Sequence, residues 1–262
     1  MTAMLREGDL VYFLDEKGRR CFATLEGGMM RVEGLGAVDG SRVVGLQNGS
    51  RISLAGKSFW VLRPGVAELM ASLERGAQVI GSKDAATIVH MLDLKCGDTV
   101  VEGGVGSGSL TTALLHAVGP NGRVISVELR EEFARKALRN IERVGYDKAW
   151  DLRIGDVRTI EMPDRADAMV LDIPDPWEAT KNAWRILKGG GRICSYVPNT
   201  NQVERAVRTL RDSGFLEVTA LENIQRPLEV HEGGTRPAYE VLAHTGYMVF
   251  ARKVIDEPQA KS

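Results

Sequence analysis

The chain has 262 residues, a formal net charge of −1 and 44% hydrophobic residues. This length suits one large domain or two ordinary ones, and the apolar fraction is that of a globular protein with a sizeable core. The charge balance excludes the overall basicity of many nucleic-acid binders, so an RNA contact would need a local patch or an oligomer. No apolar run reaches the length that spans a membrane.

Cysteine and histidine usage points away from a disulfide framework and a metal centre. Cys21, Cys96 and Cys194 are far apart and form no C-x-x-C pair, which predicts free thiols. The four histidines show no metal-ligand spacing. The N-terminus has no signal-peptide core, so these features together favour a cytoplasmic location.

Residues 1–63 are predicted to form a small β-barrel or sandwich domain, a candidate for RNA contact. Short strand-like segments occur at residues 11–14, 20–25, 43–46, 51–54 and 59–62. Gln47-Asn48-Gly49-Ser50 predicts a hairpin turn, because Asn-Gly tolerates positive φ at both central positions. Residues 64–83, which begin with Pro64-Gly65, are predicted to be a connector.

From residue 84 to residue 262, helical and strand patterns alternate. Helices are predicted at residues 84–92, 109–117, 131–143, 178–187 and 201–212, and strands at 98–102, 123–127, 151–154, 167–172 and 192–197. Ser82 is a candidate helix cap, and Asn201 with Glu204 has the spacing of a capping box. Such alternation predicts a parallel sheet with helices on both faces. Residues 215–221 and 247–253 predict a terminal antiparallel hairpin.

The most informative segment is Glu102-Gly103-Gly104-Val105-Gly106-Ser107-Gly108, which follows an apolar strand pattern. Glycines at 104, 106 and 108 allow a bend that brings bare backbone close to a ligand. A dinucleotide fingerprint requires glycine or alanine at its sixth position. Counted from Gly104, the sixth position is Ser109, so the segment does not match that fingerprint. The segment instead resembles the first motif of S-adenosylmethionine-dependent methyltransferases, and a purely structural turn is the alternative.

In open α/β sheets, ligands lie beyond the carboxyl ends of the strands, so the residues that follow each strand are candidates. Glu128 follows the second strand, where a carboxylate can accept hydrogen bonds from a ribose diol. Asp156 follows the third strand, at the place where methyltransferases bind the adenine amine. Phe133 could pack on the adenine. Each residue also has a structural alternative: Glu128 could be an exposed charge at a strand end, Asp156 a turn residue and Phe133 part of the core.

The fourth strand leads into Asp172-Ile-Pro-Asp-Pro-Trp177. Two prolines predict an extended, rigid path that would hold a carboxylate and an aromatic ring at the mouth of the crevice. Related segments hold amines in nucleobase methyltransferases. The alternative is a proline turn with Trp177 as part of the core.

Over nearly its whole length the chain resembles the tRNA (adenine-N1)-methyltransferases that act on the T loop, in their homotetrameric bacterial and archaeal form. The resemblance rests on the glycine segment, on Asp172-Ile-Pro-Asp-Pro-Trp177 and on further segments at residues 76–84, 197–203, 236–237 and 243–249. It implies a Rossmann-like class I methyltransferase with a mostly parallel seven-stranded α/β sheet. It also implies S-adenosylmethionine as cofactor, tRNA as partner, and methyl transfer to adenine 58, with adenine 57 as a second candidate.

The resemblance also assigns roles to residues. Asp172 would lie between the methyl group and the base as the catalytic residue. The cofactor would bind at the glycine segment and the strand ends, at Gly104, Gly106, Ser107, Gly108, Ser109, Glu128, Asp156 and Asp172. Glu102 and Phe133 are further cofactor candidates because of their positions after the first and second strands. The resemblance also places Gln78, His244 and Thr245 near the substrate. Trp177, Arg236 and Tyr247 are further substrate-proximal candidates.

One departure concerns substrate positioning. Relatives carry Tyr or His and then Pro where this chain has Gly81 and Ser82. Tyr247, Tyr239 or Trp177 would have to supply the missing contact with the base. Candidates for phosphate contact are Arg236, Arg226 and Lys83.

Two other functions share part of this sequence pattern. A methyltransferase for a protein carboxylate or a small molecule would share the glycine segment but would not need Asp172-Ile-Pro-Asp-Pro-Trp177. A non-catalytic RNA-binding or assembly subunit would have lost both features, and this chain retains both.

Overall fold

The computed structural model describes residues 4–74, 79–162 and 165–255. The chain divides into two compact units, Met1–Ser72 and Leu73–Ser262. Each unit has its own sheet, and the elements that carry the candidate site all belong to the second unit.

The first unit is rich in β-structure. Its elements are β1 (Leu10–Asp15), β2 (Arg20–Thr24), β3 (Met29–Val32), β4 (Gly36–Asp39), β5 (Ser50–Leu54), β6 (Lys57–Leu62) and α1 (Val66–Ser72). Four strands form an antiparallel sheet in the order β2-β1-β6-β5, and β3 pairs with β4 in a separate ribbon. Val11, Phe13, Phe59 and Val61 alternate along β1 and β6 and are at most 2% exposed, so one face of the sheet forms the core.

Two predictions for this unit are wrong in detail. Residues 43–46 form a turn, because a 3-10 helix at Gly40–Arg42 runs directly into them and Val43 N–H donates to the Gly40 carbonyl. The Asn-Gly turn exists, with Ser50 N–H donating to the Gln47 carbonyl over 3.1 Å, but only Gly49 takes a positive φ. It leads into β5, which pairs with β6, so it is not a hairpin turn between two paired strands. The ribbon of β3 and β4 was not predicted.

The second unit has the predicted α/β alternation. Its elements are α2 (Ser82–Met91), β7 (Thr99–Gly103), α3 (Ser109–Val118), β8 (Arg123–Glu128), α4 (Glu131–Val144), β9 (Trp150–Ile154), β10 (Ala166–Leu171), α5 (Thr180–Ile186), β11 (Leu187–Val197), α6 (Thr200–Asp212), β12 (Leu216–Glu222), β13 (Leu228–His231), β14 (Gly234–Pro237) and β15 (Tyr247–Arg252). Seven strands form one sheet in the order β12-β15-β11-β10-β7-β8-β9. The five strands from β11 to β9 are parallel, and the apolar residues of β7, β8 and β10 are almost completely buried.

The antiparallel end of the sheet was predicted correctly, but its connection was not. β15 pairs antiparallel with both β11 and β12. Between β12 and β15 lies a separate two-stranded sheet of β13 and β14. The strand order reverses at β7, which has β8 on one side and β10 on the other, so a ligand crevice is expected at their carboxyl ends. The expected fold, a mostly parallel seven-stranded sheet with a β-rich N-terminal part, is confirmed.

Three local predictions in this unit are wrong. Gly81, not Ser82, caps α2, and Asn199 precedes α6 without a side-chain capping bond, so the Asn201 capping box does not form. The second proline does not continue an extended path, because Pro176 begins a 3-10 helix at Pro176–Ala179 that leads into α5. A proline is suited to this first helical position, since its φ is already helical and it has no N–H to satisfy.

Candidate active site

A cleft of about 470 Å³ lies at the carboxyl ends of β7, β8, β9 and β10. It therefore occupies the place that the strand order predicts for a ligand. Its lining combines the glycine segment, the ends of the strands and the proline segment: Val79, Gly104, Gly106, Ser107, Val127, Glu128, Leu129, Arg130, Phe133, Gly155, Asp156, Val157, Arg158, Asp172, Ile173, Pro174 and Asp175.

The glycine segment bends beside the cleft with left-handed backbone at Gly104, Gly106 and Gly108. A Cβ on Gly104 would lie 2.1 Å from the carbonyl oxygen of Asp172, so the two backbones touch. A Cβ on Gly106 would meet no protein atom within 4 Å, although Gly106 lines the cleft. Glycine at 104 is needed for close packing, whereas glycine at 106 leaves room on the ligand side.

Glu128 ends β8 and is 5% exposed. Its Oε2 accepts the N–H of Val105 over 3.0 Å, and its Oε1 accepts the N–H of Arg130 over 3.0 Å. A carboxylate offers about four lone-pair sites, so each oxygen keeps one for a ligand hydroxyl. This arrangement suits a ribose diol.

Two arginines cover the wall that the sequence assigns to adenine. The guanidinium of Arg130 lies 3.8 Å from the centre of the Phe133 ring. Arg158 binds Asp156 through its side chain, with Nε 2.8 and 2.9 Å from the two oxygens and Nη2 2.7 Å from one. This hydrogen bonding lowers the pKa of Asp156, which remains a carboxylate. An adenine amine would share Asp156 with Arg158, a contact that was not predicted from the sequence.

Asp172 follows β10 and lies directly beside the glycine segment. Its N–H donates to the Gly103 carbonyl over 2.8 Å. The residue is exposed in the cleft, yet protein atoms surround its carboxyl closely enough to desolvate it. Desolvation, followed by the negative charge of Glu128, raises the pKa of Asp172 to about 6. The group is therefore mainly a carboxylate at neutral pH and can accept a hydrogen bond there.

Glu102 lies beneath the cleft and is not among the lining residues. Its side chain is completely buried, and Oε2 accepts hydrogen bonds from Thr111 (2.7 Å) and Ser126 (2.5 Å). Burial raises the pKa of Glu102 to about 8 against the effect of these two hydrogen bonds, and the charges of Asp172 and Glu128 contribute to the rise. Both donors reach Oε2, and Oε1 has no hydrogen-bond partner among the described residues.

Glu102→Gln is expected to abolish a pH dependence of stability. Because the folded-state pKa is raised, the stability that the neutral group contributes is fully present below pH 4.5 and is lost as pH rises through about 8. Urea unfolding from about pH 5 to 9 should show the wild type losing free energy of unfolding relative to Glu102→Gln. Glu131→Gln, at an exposed side chain, is the control and should follow the wild type. Parallel curves for wild type and Glu102→Gln would contradict a neutral Glu102.

The remaining cofactor candidates, Gly108 and Ser109, support the glycine segment on the side away from the cleft. Gly108 packs against α4, where an added Cβ would lie 3.3 Å from Ile141. Ser109 donates its hydroxyl to the Ile80 carbonyl over 2.9 Å. Neither lines the cleft. Seven of the ten cofactor candidates do line it: Gly104, Gly106, Ser107, Glu128, Phe133, Asp156 and Asp172.

The substrate-proximal candidates that lie within the described residues do not line this cleft. Trp177 is buried, with the Arg205 guanidinium 4.3 Å from its ring centre. Arg236, on β14, forms an ion pair with Glu229 and lies over the Tyr239 ring. Gln78 lies outside the described residues. Tyr239 and Tyr247 also lie off the cleft lining. A Cβ on Gly81 would meet no protein atom within 4 Å.

His244 and Tyr247 pack together beside the end of β11. His244 lies 2.6 Å from a Glu222 oxygen and 3.0 Å from the Pro198 carbonyl. Its ring centre is 4.8 Å from that of Tyr247. The pKa of His244 is raised, mainly by the hydrogen bond with Glu222.

Thr245 belongs to a polar cluster that joins α2 to the end of the sheet, and the sequence did not reveal this cluster. Asp84 is fully buried and accepts hydrogen bonds from Thr245 (2.6 Å), Lys83 (2.7 Å) and Tyr196 (3.2 Å). The Lys83 ammonium also donates to the Asn223 carbonyl over 2.5 Å. Lys83 was a candidate for phosphate contact, and this role is wrong because its ammonium is used inside the cluster.

The cleft fits S-adenosylmethionine on three observations. Among the described residues, the buried Ser107 hydroxyl has no hydrogen-bond partner, which suits a polar ligand group. Glu128 keeps acceptor sites for a diol, and Gly106 leaves space beside the backbone. A nucleoside with a polar tail meets these requirements.

Metal-binding and membrane-spanning features are absent from residues 4–74, 79–162 and 165–255. No group of three or more His, Cys, Asp or Glu side chains there could hold a metal ion. No helix in the same ranges is long and apolar enough to cross a membrane. The three cysteines are free thiols, and Cys21 and Cys194 are buried.

Comparison with known proteins agrees with this geometry. The profile of the family described as the tRNA methyltransferase complex GCD14 subunit matches residues 58–234. The tRNA (adenine(57)-N(1)/adenine(58)-N(1))-methyltransferase TrmI of Methanocaldococcus jannaschii is 35% identical over 75% of this chain and 79% of its own length. A TrmI of Thermus thermophilus, named for adenine 58 alone, is 33% identical over 76% of this chain and 78% of its own length.

Two solved structures share nearly the whole fold. A SAM-dependent O-methyltransferase from Thermotoga maritima has a TM-score of 0.87 and 32% identity, covering 98% of this chain and 97% of that one. The tRNA (m1A58) methyltransferase TrmI from Aquifex aeolicus has a TM-score of 0.79 and 26% identity, covering 97% of this chain and all of that one. The expected resemblance is confirmed. With a class I fold, a nucleoside-sized cleft and this family match, the chain belongs to the GCD14 family of tRNA methyltransferases.

Proposed function

We propose that this protein transfers a methyl group from S-adenosylmethionine to N1 of a T-loop adenine in tRNA, at position 58 and with position 57 as a second target. The observation that carries the proposal is the contact between Asp172 and the glycine segment. Asp172 N–H donates to Gly103, and its carbonyl lies against Gly104. The carboxylate that would receive the base is therefore beside the loop that would receive the methyl donor.

Different lining residues would bind the nucleoside part and the methionine tail of the donor. Glu128 would accept the ribose hydroxyls, for which each of its oxygens has a free site. Phe133 and Asp156 would contact the adenine, together with Arg130 and Arg158. Gly106 and Ser107 would contact the methionine tail. Glu102, Gly108 and Ser109 would support the loop from behind.

Alignment and charge stabilisation are the tasks of the protein in this reaction. The donor supplies an activated methyl group when bound, and adenine N1 has an in-plane lone pair that needs no prior deprotonation. The Asp172 carboxylate would accept a hydrogen bond from the exocyclic amine and offset the positive charge that develops on the ring. Its raised pKa still leaves it ionised at neutral pH. No general base for N1 is required.

The target nitrogen lies on the Watson–Crick edge, so the nucleotide must be unpaired or turned out of its stack. His244, Thr245 and Tyr247 lie near the end of the sheet and would meet the RNA outside the cleft. Trp177 and Arg236 would act at a greater distance, the first as support for the proline segment and the second through the exposed β14.

A homo-oligomer, a tetramer by resemblance, and a cytoplasmic location are part of the same proposal. Support for the oligomer comes from Leu228 and Val230, which are 64% and 73% exposed on β13 of an isolated two-stranded sheet. Two-stranded sheets are marginally stable in water without further packing.

Nucleoside analysis of tRNA tests the proposal. Unmodified tRNA is incubated with the protein and S-adenosylmethionine, digested and analysed by mass spectrometry. We expect 1-methyladenosine, which should decrease when the adenine at position 58 is replaced by guanine and disappear when adenines 57 and 58 are both replaced. An O-methylated product, to which the name of the Thermotoga relative points, or methyl transfer only to protein carboxylates or small molecules, would overturn the proposal.

A further inference from the structure

One buried amide, outside the lining of the cleft, holds the glycine segment. Asn140 of α4 is 2% exposed. Its Nδ2 donates to the carbonyls of Ser107 (2.8 Å) and Glu74 (3.1 Å), and its Oδ1 accepts the Glu74 N–H (3.1 Å). These three contacts determine the orientation of the Asn140 amide. If the amide were flipped, its oxygen would face the two carbonyl oxygens, which are acceptors and cannot donate to it.

The same face of α4 packs directly against the segment. Ala137 and Ile141 lie three residues before and one residue after Asn140, which places all three on one side of a helix. A Cβ on Gly108 would lie 3.3 Å from Ile141 and 3.7 Å from Ala137. Gly108, with φ of +83°, thus rests on α4 at close range. The helix is a platform that receives the loop, and Asn140 supplies its polar contact.

The other end of the loop is held by the residue that ends β8. Val105 N–H donates to Glu128 Oε2 over 3.0 Å. The loop is therefore attached at Val105 and at Ser107, in both cases to side chains from the β8–α4 segment. Gly106 and Ser107, which line the cleft, are positioned by these two attachments.

We infer that Asn140 is a positioning residue for the methyl donor: through the Ser107 carbonyl it sets the loop against which the donor's methionine tail binds. The inference rests on the proposed function, which assigns the tail to Gly106 and Ser107. Without the Asn140 amide, the Ser107 peptide loses a buried hydrogen bond and can rotate. Binding of the tail should then weaken, while binding of the nucleoside part should be largely kept.

The chain offers a matched control on the opposite wall. Asn182 of α5 is 5% exposed, and its Nδ2 donates to the carbonyls of Val157 and Ile160, each over 2.9 Å. It holds the segment after β9 that carries Asp156. Asn182→Ala removes the same kind of bonds as Asn140→Ala, but from the wall assigned to adenine.

The test is calorimetric titration of wild type, Asn140→Ala and Asn182→Ala with S-adenosylmethionine, S-adenosylhomocysteine and adenosine. A lost hydrogen bond corresponds to about tenfold in affinity. Asn140→Ala should weaken both tailed ligands about tenfold and adenosine less than about threefold. Asn182→Ala should weaken all three ligands by similar factors. At saturating donor, turnover of Asn140→Ala on tRNA should stay within about threefold of wild type.

Equal weakening of all three ligands by Asn140→Ala, or unchanged binding of S-adenosylmethionine, would overturn the inference. Asn140→Ser, which keeps one donor, is used in the same titration if the alanine variant does not fold. A wild-type protein that binds S-adenosylmethionine but leaves tRNA unmethylated would overturn the tRNA assignment while leaving the role of Asn140 intact. A folded wild type that binds none of the three ligands would overturn both.

Discussion

Asp172→Ala is expected to lower turnover of tRNA by about a hundredfold or more, the effect of removing one preorganised group that stabilises transition-state charge. The substitution removes a carboxylate that lines the cleft on the residue whose backbone carbonyl lies against Gly104. It also relieves the repulsion between Asp172 and Glu128, so the variant should be at least as stable as the wild type. Single-turnover kinetics with saturating donor and tRNA measures the loss.

Asp167→Asn is the control for this variant. Asp167 lies at the opposite end of β10, where it accepts the Thr99 N–H and pairs with Lys188. An asparagine can still accept the Thr99 N–H, so turnover should stay within about twofold of wild type. Normal turnover by a correctly folded Asp172→Ala variant would remove Asp172 from the mechanism.

The raised pKa of Asp172 adds a pH signature to the same prediction. If the ionised carboxylate is the active form, kcat/KM should rise with pH through about 6 and then level off, because this ratio reports groups of the free enzyme. Asp172→Asn should lack this acidic limb at a lower overall rate. An acidic limb that persists in Asp172→Asn would assign the titration to another group.

Gly104→Ala is expected to destabilise the protein by more than about 3 kcal/mol, which is at the upper end for single substitutions. The added Cβ would lie 2.1 Å from the Asp172 carbonyl oxygen and 2.9 Å from its carbonyl carbon, which are backbone atoms and cannot swing aside. The positive φ of 85° adds a conformational cost for alanine. Both strand ends that form the cleft would have to separate. Chemical unfolding in urea gives the change.

Alanine substitutions at two other glycines with positive φ distinguish the cost of backbone strain from the cost of the steric contact at Gly104. Gly97→Ala has only the conformational cost, about 1 kcal/mol, because its Cβ would meet no atom within 4 Å. Gly106→Ala has the same open surroundings but lines the cleft, so it should weaken donor binding more than it lowers stability. Equal destabilisation by Gly104→Ala and Gly97→Ala would mean that the contact between Gly104 and Asp172 does not constrain the fold.

Local patterns were sufficient for elements whose conformation depends on neighbouring residues. The strand–glycine loop–helix unit from Thr99 to Val118 was predicted almost to the residue, because an apolar strand, a glycine bend and a helical pattern follow one another directly. For residues 43–46, Val-Val-Gly-Leu predicts a strand by its β-propensity, but the preceding 3-10 helix imposes a turn. Propensity of this kind is easily overridden by packing.

The sequence by itself determined the α/β class, the position of the cleft and the identity of the strand-end residues Gly104, Glu128 and Asp172, because parallel strands bring their carboxyl ends to one edge. Only the tertiary structure revealed that Asn140 binds Ser107, 33 residues away, and that Asp84 joins Thr245 across 161 residues. It also decided the protonation of Glu102 and Asp172. Desolvation and hydrogen bonding depend on which side chains surround a group in space, and no local pattern of residues contains that information.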